Sequence, residues 1–268
     1  MSSYETPLVL FTVLSQLSVG MVAVTAVRSF AGDGPQAQPK KIRSEWLVAG
    51  GVLVVGMIAS VFHLGHPTGM ARAIVHLGSA WLSREALTTG IFLGLVALGV
   101  VLMRDKTNRG LIVVTALVGL LALFSMGMTY SPPSFPAINN VLPFVFFLLT
   151  AALLGSSVGV LFAPESKEPL VTRILTVSLI VGLVVYLIVP CIWLSGGEIM
   201  RQTGQSWMAS PLYWGRIIVG LALPLAVIGA MKKAPGWLWV VILAGELMGR
   251  AVFFANTVHT AANMGGVY

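Results

Sequence analysis

Residues 63–87, HLGHPTGMARAIVHLGSAWLSREAL, hold three of the protein's four histidines, His63, His66 and His76, together with Arg72, Arg84 and Glu85. Such a concentration of titratable groups stands out in a sequence that is 9% charged and 57% hydrophobic. An imidazole titrates near physiological pH, and surroundings can tune a carboxyl group towards the same range. A histidine and a carboxylate meeting at one place can therefore take protons from a bound molecule. A quinol suits the pair: its oxidation releases protons together with electrons, and the two side chains give the protons a route away. Apolar helix walls would receive its ring and tail. His63, closing one apolar segment, and Glu85, opening the next, are the candidates. A structural alternative stays open, in which Glu85 suits a helix N-terminus, Ser83 is its N-cap and His63 merely ends a helix. His66 and His76, beside Gly65, Pro67 and Gly78, are expected to face water.

The elements that position these groups are membrane helices. Mean hydropathy is +0.92, whereas soluble domains carry charge on about a quarter of their residues. A spanning helix needs roughly 20 apolar residues. Segments of that kind are predicted at 7–30, 45–63, 84–103, 109–130, 140–162, 170–194, 211–230 and 236–257. The breaks between them, among them GDGPQAQPKK, RDKTN, SPPSFP, PESKEP and KKAPG, are rich in turn formers or charge. The expected fold is all-α and integral to the membrane, with eight transmembrane helices in a single polytopic domain over residues 1–268. The first span, preceded by MSSYET without Lys or Arg, reads as a retained helix and not a signal peptide. PLVLFTVLSQLSVG in the first span is faintly like LPFVFFLLTAALLG in the fifth, which hints at two four-helix units.

The net charge of +7 does not point to nucleic acid, because the positive residues sit in short clusters between apolar segments. Arg28, Lys40, Lys41, Arg43, Arg104, Lys106, Arg109, Lys167, Arg173, Lys232 and Lys233 flank the odd-numbered loops; only Arg72, Arg84 and Arg201 lie on the other side. The positive-inside rule then places both termini, and the 63–87 stretch, outside the cytoplasm. The lone cysteine, Cys191, allows no disulfide framework and no iron–sulfur ligand set. A b-type haem wants two imidazoles within facing spans, and its one available pair, His63 and His259, lies at helix ends, so haem is not expected.

Charges inside spans are costly and mark function or tight partnership. Glu246 and Arg250 in the eighth span are four apart with the acid first, the order that favours an ion pair on one helix face. Gly245 and Gly249 form a GxxxG step for close helix approach. Arg216 in the seventh span could snorkel to the interface or answer Glu246 or a ligand oxygen. Gln16 in the first span suits an interhelical hydrogen bond or a ligand contact. Glu246, Arg250 and Arg216 would also suit the substrate path of a secondary transporter.

Four patches, PLVLFTVLSQLSVG, ASVFHLGHP leading into LSREALTTGIF, YWGRIIV and LAGELMGRAVFF, together resemble the membrane anchor subunits of bacterial dimethyl sulfoxide reductases and closely related molybdoenzymes. The resemblance runs over nearly the whole sequence. It implies a haem-free anchor in the bacterial cytoplasmic (inner) membrane with periplasmic termini. Such an anchor oxidises menaquinol and passes electrons to an iron–sulfur subunit that feeds a molybdopterin catalytic subunit. It also assigns His63 and Glu85, in the HLGxP and LSxE patterns, to quinol binding; beyond the resemblance, Arg84, Arg216, Glu246, Arg250 and Gln16 are expected to line or support the pocket. Iron–sulfur clusters and molybdenum then belong to partner subunits, and the loop 64–83, with Arg72, His76 and Trp81, would help dock them. Arg84, in place of an uncharged neighbour of the Glu, and His66, in the variable place of HLGxP, depart from the family pattern and bear on proton affinity and quinone choice. The polysulfide- and nitrite-reductase type of quinone-linked anchor is a related alternative, which HLGxP and GELxGR disfavour.

Overall fold

The computed structural model describes residues 6–31, 39–62 and 75–261, which are helical with short connections and hold no strand. Eight helices are long and apolar enough to cross a membrane, as expected: Thr6–Phe30, Pro39–Val61, Trp81–Leu102, Arg109–Thr129, Leu142–Phe162, Glu165–Leu194, Pro211–Met231 and Leu238–Asn256. The first five are α1 to α5. The sixth is a 3₁₀ turn running into α6 (Glu168–Leu194). The seventh joins α8 (Pro211–Ile217), a π-helical segment over Ile218–Ala222 and α9 (Leu223–Met231), and the eighth is α10 (Leu238–Asn256). In lipid only such internally hydrogen-bonded elements can span.

Three local expectations are corrected. The second span begins at Pro39, so the basic stretch Lys40–Lys41–Arg43 is its first turn; proline tolerates that place because the first N–H groups of a helix have no partner anyway. The third span begins at Trp81, with Ala80 in the N-cap place and no side-chain cap; Ser83 is therefore an interior, buried helical residue, and Glu85 lies just past the first turn. The polar stretch SGGEIMRQTGQS between the sixth and seventh predicted spans, which reads in the sequence as a break, contains a further helix, α7 (Glu198–Ala209). It is amphipathic: Thr203, Gly204 and Trp207 are buried, while Arg201 and Glu198 pair at 2.6 Å on its exposed face. Hydrogen bonds from Gln202 and Arg201 hold the Glu198 carboxyl below its ordinary range.

α7 lies at the end of the bundle that carries Glu85 and latches the end of α10. Trp207 Nε1 donates to Thr257 Oγ1 at 3.3 Å, the Val258 amide donates to Thr203 Oγ1 at 3.1 Å, and Asn256 Nδ2 donates to Ser206 Oγ at 3.0 Å. The loop between α4 and α5 closes the same end. Trp193 Nε1 donates to its Ala137 carbonyl at 2.9 Å, and Ser131 Oγ bonds the Ile138 and Asn140 carbonyls.

The core lies between α1 and α5, whose spans are 72% and 67% buried against 28% for α2 and 33% for α3. Lipid tails are as apolar as leucine, so membrane helices associate through close packing at small residues. Gly20 and Gly155, the last residues of the two similar stretches, are that contact. A Cβ built on Gly20 would lie 1.9 Å from the Ala151 carbonyl oxygen, and one on Gly155 2.2 Å from the Gly20 carbonyl carbon. The two like segments thus face each other. Gly155→Val is expected to push these backbones apart and to lower the thermal inactivation temperature of the detergent-solubilised protein, at a cost of at least about 1–3 kcal/mol. Gly90→Val, at a position with nothing within 4 Å of an added Cβ, should leave that temperature unchanged.

Candidate functional site

Three glutamates are buried among the described residues: Glu45, Glu85 and Glu246. Two of them face a guanidinium. Glu246 Oε1 is 2.7 Å from Arg216 Nη2, while its Oε2 accepts from Thr150 Oγ1 at 2.8 Å. Arg250 then donates to Gln16 Oε1 at 2.7 Å and to Thr150 Oγ1 at 3.2 Å, and Gln16 Nε2 reaches Met126 Sδ at 3.7 Å. Aromatic faces complete the setting, with Arg250 4.1 Å from the Phe147 ring centroid and Arg216 4.8 Å from that of Tyr186. One polar network thus joins α1, α4, α5, α8 and α10.

This brings together Gln16, Arg216, Glu246 and Arg250, but in a different pairing from the one their spacing suggests. Glu246 pairs across helices with Arg216, and Arg250 reaches Gln16 and Thr150 instead of pairing with Glu246 on its own helix. The reason is steric. Gly220 and Gly249 leave a groove that the Arg216 side chain fills: an added Cβ would sit 2.9 Å from its Nη1 at Gly220 and 2.9 Å from its Cδ at Gly249. Gly245 meanwhile rests directly on Gly220, so the GxxxG step does bring the helices close. Arg216 is fully buried and does not snorkel.

The second paired acid is Glu45, hydrogen-bonded to Arg28, which also donates to the Gly159 carbonyl at 3.0 Å and to Thr25 Oγ1 at 3.2 Å. In the sequence Arg28 reads as a loop-flanking charge, which hides this pair, since both residues sit beside basic, polar connections. A Glu at the start of one span after an Arg at the end of the preceding one is the signal that could reveal it.

Glu85 is the exception. It is buried on α3, and among the described residues no cation pairs with it; its Oε2 has no hydrogen-bond partner there, and the Thr129 hydroxyl at the end of α4 stands near the carboxyl. Thr129 Oγ1 donates to the Ser125 carbonyl at 3.0 Å. Its one hydrogen is thus engaged, and the lone pairs of the hydroxyl oxygen remain able to accept from a protonated carboxyl. The site has room in its hydrogen-bond pattern for a proton.

The neighbouring Arg84 turns away from Glu85: Nε and Nη2 donate to the Leu77 and Gly78 carbonyls at 2.9 and 2.8 Å, and the guanidinium stacks on Trp81 at 4.3 Å. It fastens the 75–79 turn, where His76 is exposed, to α3. His63, His66 and Arg72 lie outside the described residues. His259 is exposed beyond α10, its Nδ1 accepting from the Ala261 amide at 2.9 Å. No group of three or more His, Cys, Asp or Glu residues that could hold a metal comes together among the described residues.

Eight apolar helices around buried charged groups, with a carboxyl at one end that no cation pairs among the described residues, are the marks of a multi-pass membrane protein. Residues 1–256 match the family model described as DMSO reductase anchor subunit (DmsC), and the chain belongs to that family. It is similar to the C subunit of the anaerobic dimethyl sulfoxide reductase of Escherichia coli (strain K12), with 26% identity over 276 residues covering 94% of each protein. The YnfH subunit of an anaerobic dimethyl sulfoxide reductase in the same organism is 25% identical over 271 residues, again 94% of each. The corresponding C subunit of Haemophilus influenzae is 31% identical over 170 residues, covering 62% of this chain and 61% of that protein. As a member of that family it is a membrane anchor subunit of an oxidoreductase complex.

Removing one partner of a buried ion pair leaves an uncompensated charge and costs about 3–5 kcal/mol. Glu246→Leu is therefore expected to lower the melting temperature of the purified protein sharply. Arg216→Met combined with Glu246→Leu should recover much of the loss; a double variant as unstable as the sum of its singles would show that the two residues act separately.

Proposed function

We propose that this protein oxidises menaquinol at the end of the bundle carrying Glu85 and delivers the electrons to an iron–sulfur subunit, which feeds a molybdopterin-bearing reductase subunit in anaerobic respiration. The observation that carries the reading is the buried Glu85 carboxyl, paired with no cation among the described residues and with one oxygen that has no hydrogen-bond partner there. Quinol oxidation yields quinone, two protons and two electrons; Glu85 takes one proton from a ring hydroxyl, His63 takes the other, and the electrons leave to the partner's clusters. Both protons then depart on the periplasmic side of the bacterial inner membrane, the side that the basic-residue bias gives to this end. Arg84 acts at a distance, by fixing the turn that leads into α3.

Gln16, Arg216, Glu246 and Arg250 support the pocket. Gln16 meets Met126 one turn below Thr129 on α4, so their network steadies the helix that presents Thr129 to Glu85. Names of the relatives favour dimethyl sulfoxide or a related oxide as terminal acceptor, reduced in the catalytic partner.

The test uses the intact complex, with cluster reduction by a short-chain menaquinol analogue followed optically. Glu85→Gln and His63→Ala are each expected to slow the reaction at least about 100-fold, the usual scale of general acid–base catalysis. Parent-like rates in both variants would remove the site.

A further inference from the structure

Helical threonines in this protein share one habit. Thr12, Thr25, Thr88, Thr115 and Thr150 all return their hydroxyl to a carbonyl one turn back, at 2.7–3.0 Å. That bond is readily made and spares the hydroxyl from facing apolar surroundings alone. Thr89 breaks the habit. It is buried on α3, yet its Oγ1 has no hydrogen-bond partner among the described residues. Thr89 stands four residues after Glu85, so the two side chains lie one turn apart on the same helix face. The second orphan on that face is Glu85 Oε2. Immediately beside Thr89, Thr88 bonds the Arg84 carbonyl at 2.7 Å, so nothing in the local backbone forbids the ordinary arrangement.

Buried polar atoms are almost always paired, and two unpaired ones stacked on one face mark where a polar partner belongs. Thr172 Oγ1 is also unpaired, but it stands near the start of α6, at the opposite end of the bundle from Glu85. Position relative to Glu85 is what singles out Thr89.

We infer that Thr89 is a quinol-contacting residue whose hydroxyl donates to the same ring oxygen from which Glu85 takes a proton. The inference rests on the quinol reading of Glu85 and adds to it a donor one turn deeper. A phenolic oxygen can donate one hydrogen and accept others. Before transfer it donates to the Glu85 carboxylate and accepts from Thr89. As its proton moves to Glu85, negative charge grows on the ring oxygen and the Thr89 bond strengthens where it is needed. The electrons pass to the partner's clusters and Thr89 keeps its own hydrogen throughout. The sequence alone does not mark Thr89, because a threonine in a membrane helix is ordinarily satisfied by its own backbone.

Thr89→Val keeps the shape and removes the donor. Because the hydroxyl has no partner among the described residues, this variant should melt at or above the parent's temperature. In the intact complex, kcat/KM for the short-chain menaquinol analogue should fall roughly three- to tenfold, as loss of one hydrogen bond predicts. Thr89→Ser should restore it. Parent-like kcat/KM in Thr89→Val overturns the inference, as does a loss of thermal stability accompanying any fall, or a Thr89→Ser no better than Thr89→Val. Glu85→Gln, measured alongside, separates the two levels: if it is inactive while Thr89→Val behaves as the parent, only the role of Thr89 fails, and if both behave as the parent the quinol site itself fails.

Discussion

A charge buried in this bundle has to find its partner on another helix, and that requirement arranges the structure. Water cannot reach the hydrocarbon layer to satisfy a guanidinium, so each buried arginine acts as a clamp. Arg28 draws α1, α2 and α5 together through Glu45 and the Gly159 carbonyl. Arg216 and Arg250 join α8 and α10 to α5 and α1 through Glu246, Thr150 and Gln16. Such pairs need not stabilise more than packed apolar residues would, but they penalise every arrangement in which the partners are apart. Against that background an acid without a cation is conspicuous, and among the described residues Glu85 is the buried carboxyl that no arginine clamps.

Much of this is legible in the sequence, and what is not has physical causes. Span number and approximate limits follow from the length of the apolar runs, because the bilayer fixes how long a helix must be. Partnerships are harder. An i, i+4 relation between Glu246 and Arg250 is real on the helix surface, but a groove made by glycines on two helices offers Glu246 a closer cation, and a one-dimensional pattern does not contain that groove. α7 is hidden for another reason: it is short and polar on average, so although Trp207, Met200 and Met208 face the core it reads as a connection beside spans that are apolar all round. Ser83 looks like an N-cap only if Trp81 and Leu82 belong to the loop, although aromatic residues favour the edge of a membrane helix. Glu85 itself can be found from residue type and place, while Thr89 emerges only when each buried hydroxyl is asked whether it is satisfied.

The π-helical segment shows how a local backbone rule serves the network. Pro224 has no N–H, and its ring would press on the carbonyl four residues earlier, that of Gly220. The backbone responds by widening the turn before it, so that the Leu223 amide reaches back to the Ile218 carbonyl. This wider turn contains Gly220, the residue on which Gly245 rests and past which the Arg216 guanidinium runs. A regular helix with a side chain at 220 would close the groove and leave Glu246 without its cation. Proline and glycine here shape a berth for an arginine.

Two helix hairpins stand beside the contact of α1 with α5, and they hold their acids differently. The first hairpin is α3 with α4, and the second is α8 to α10. In the second hairpin the acid, Glu246, is paired with Arg216 and hydrogen-bonded by Thr150. In the first, the place on α3 just past its first turn is held by Glu85, and the facing helix offers a hydroxyl where the second hairpin offers an arginine. Glu246 is thus fixed by a charge on another helix, whereas Glu85 is held by no cation among the described residues. Gln16, held by Arg250 on one side and reaching Met126 on the other, ties the polar network of α5, α8 and α10 to α4.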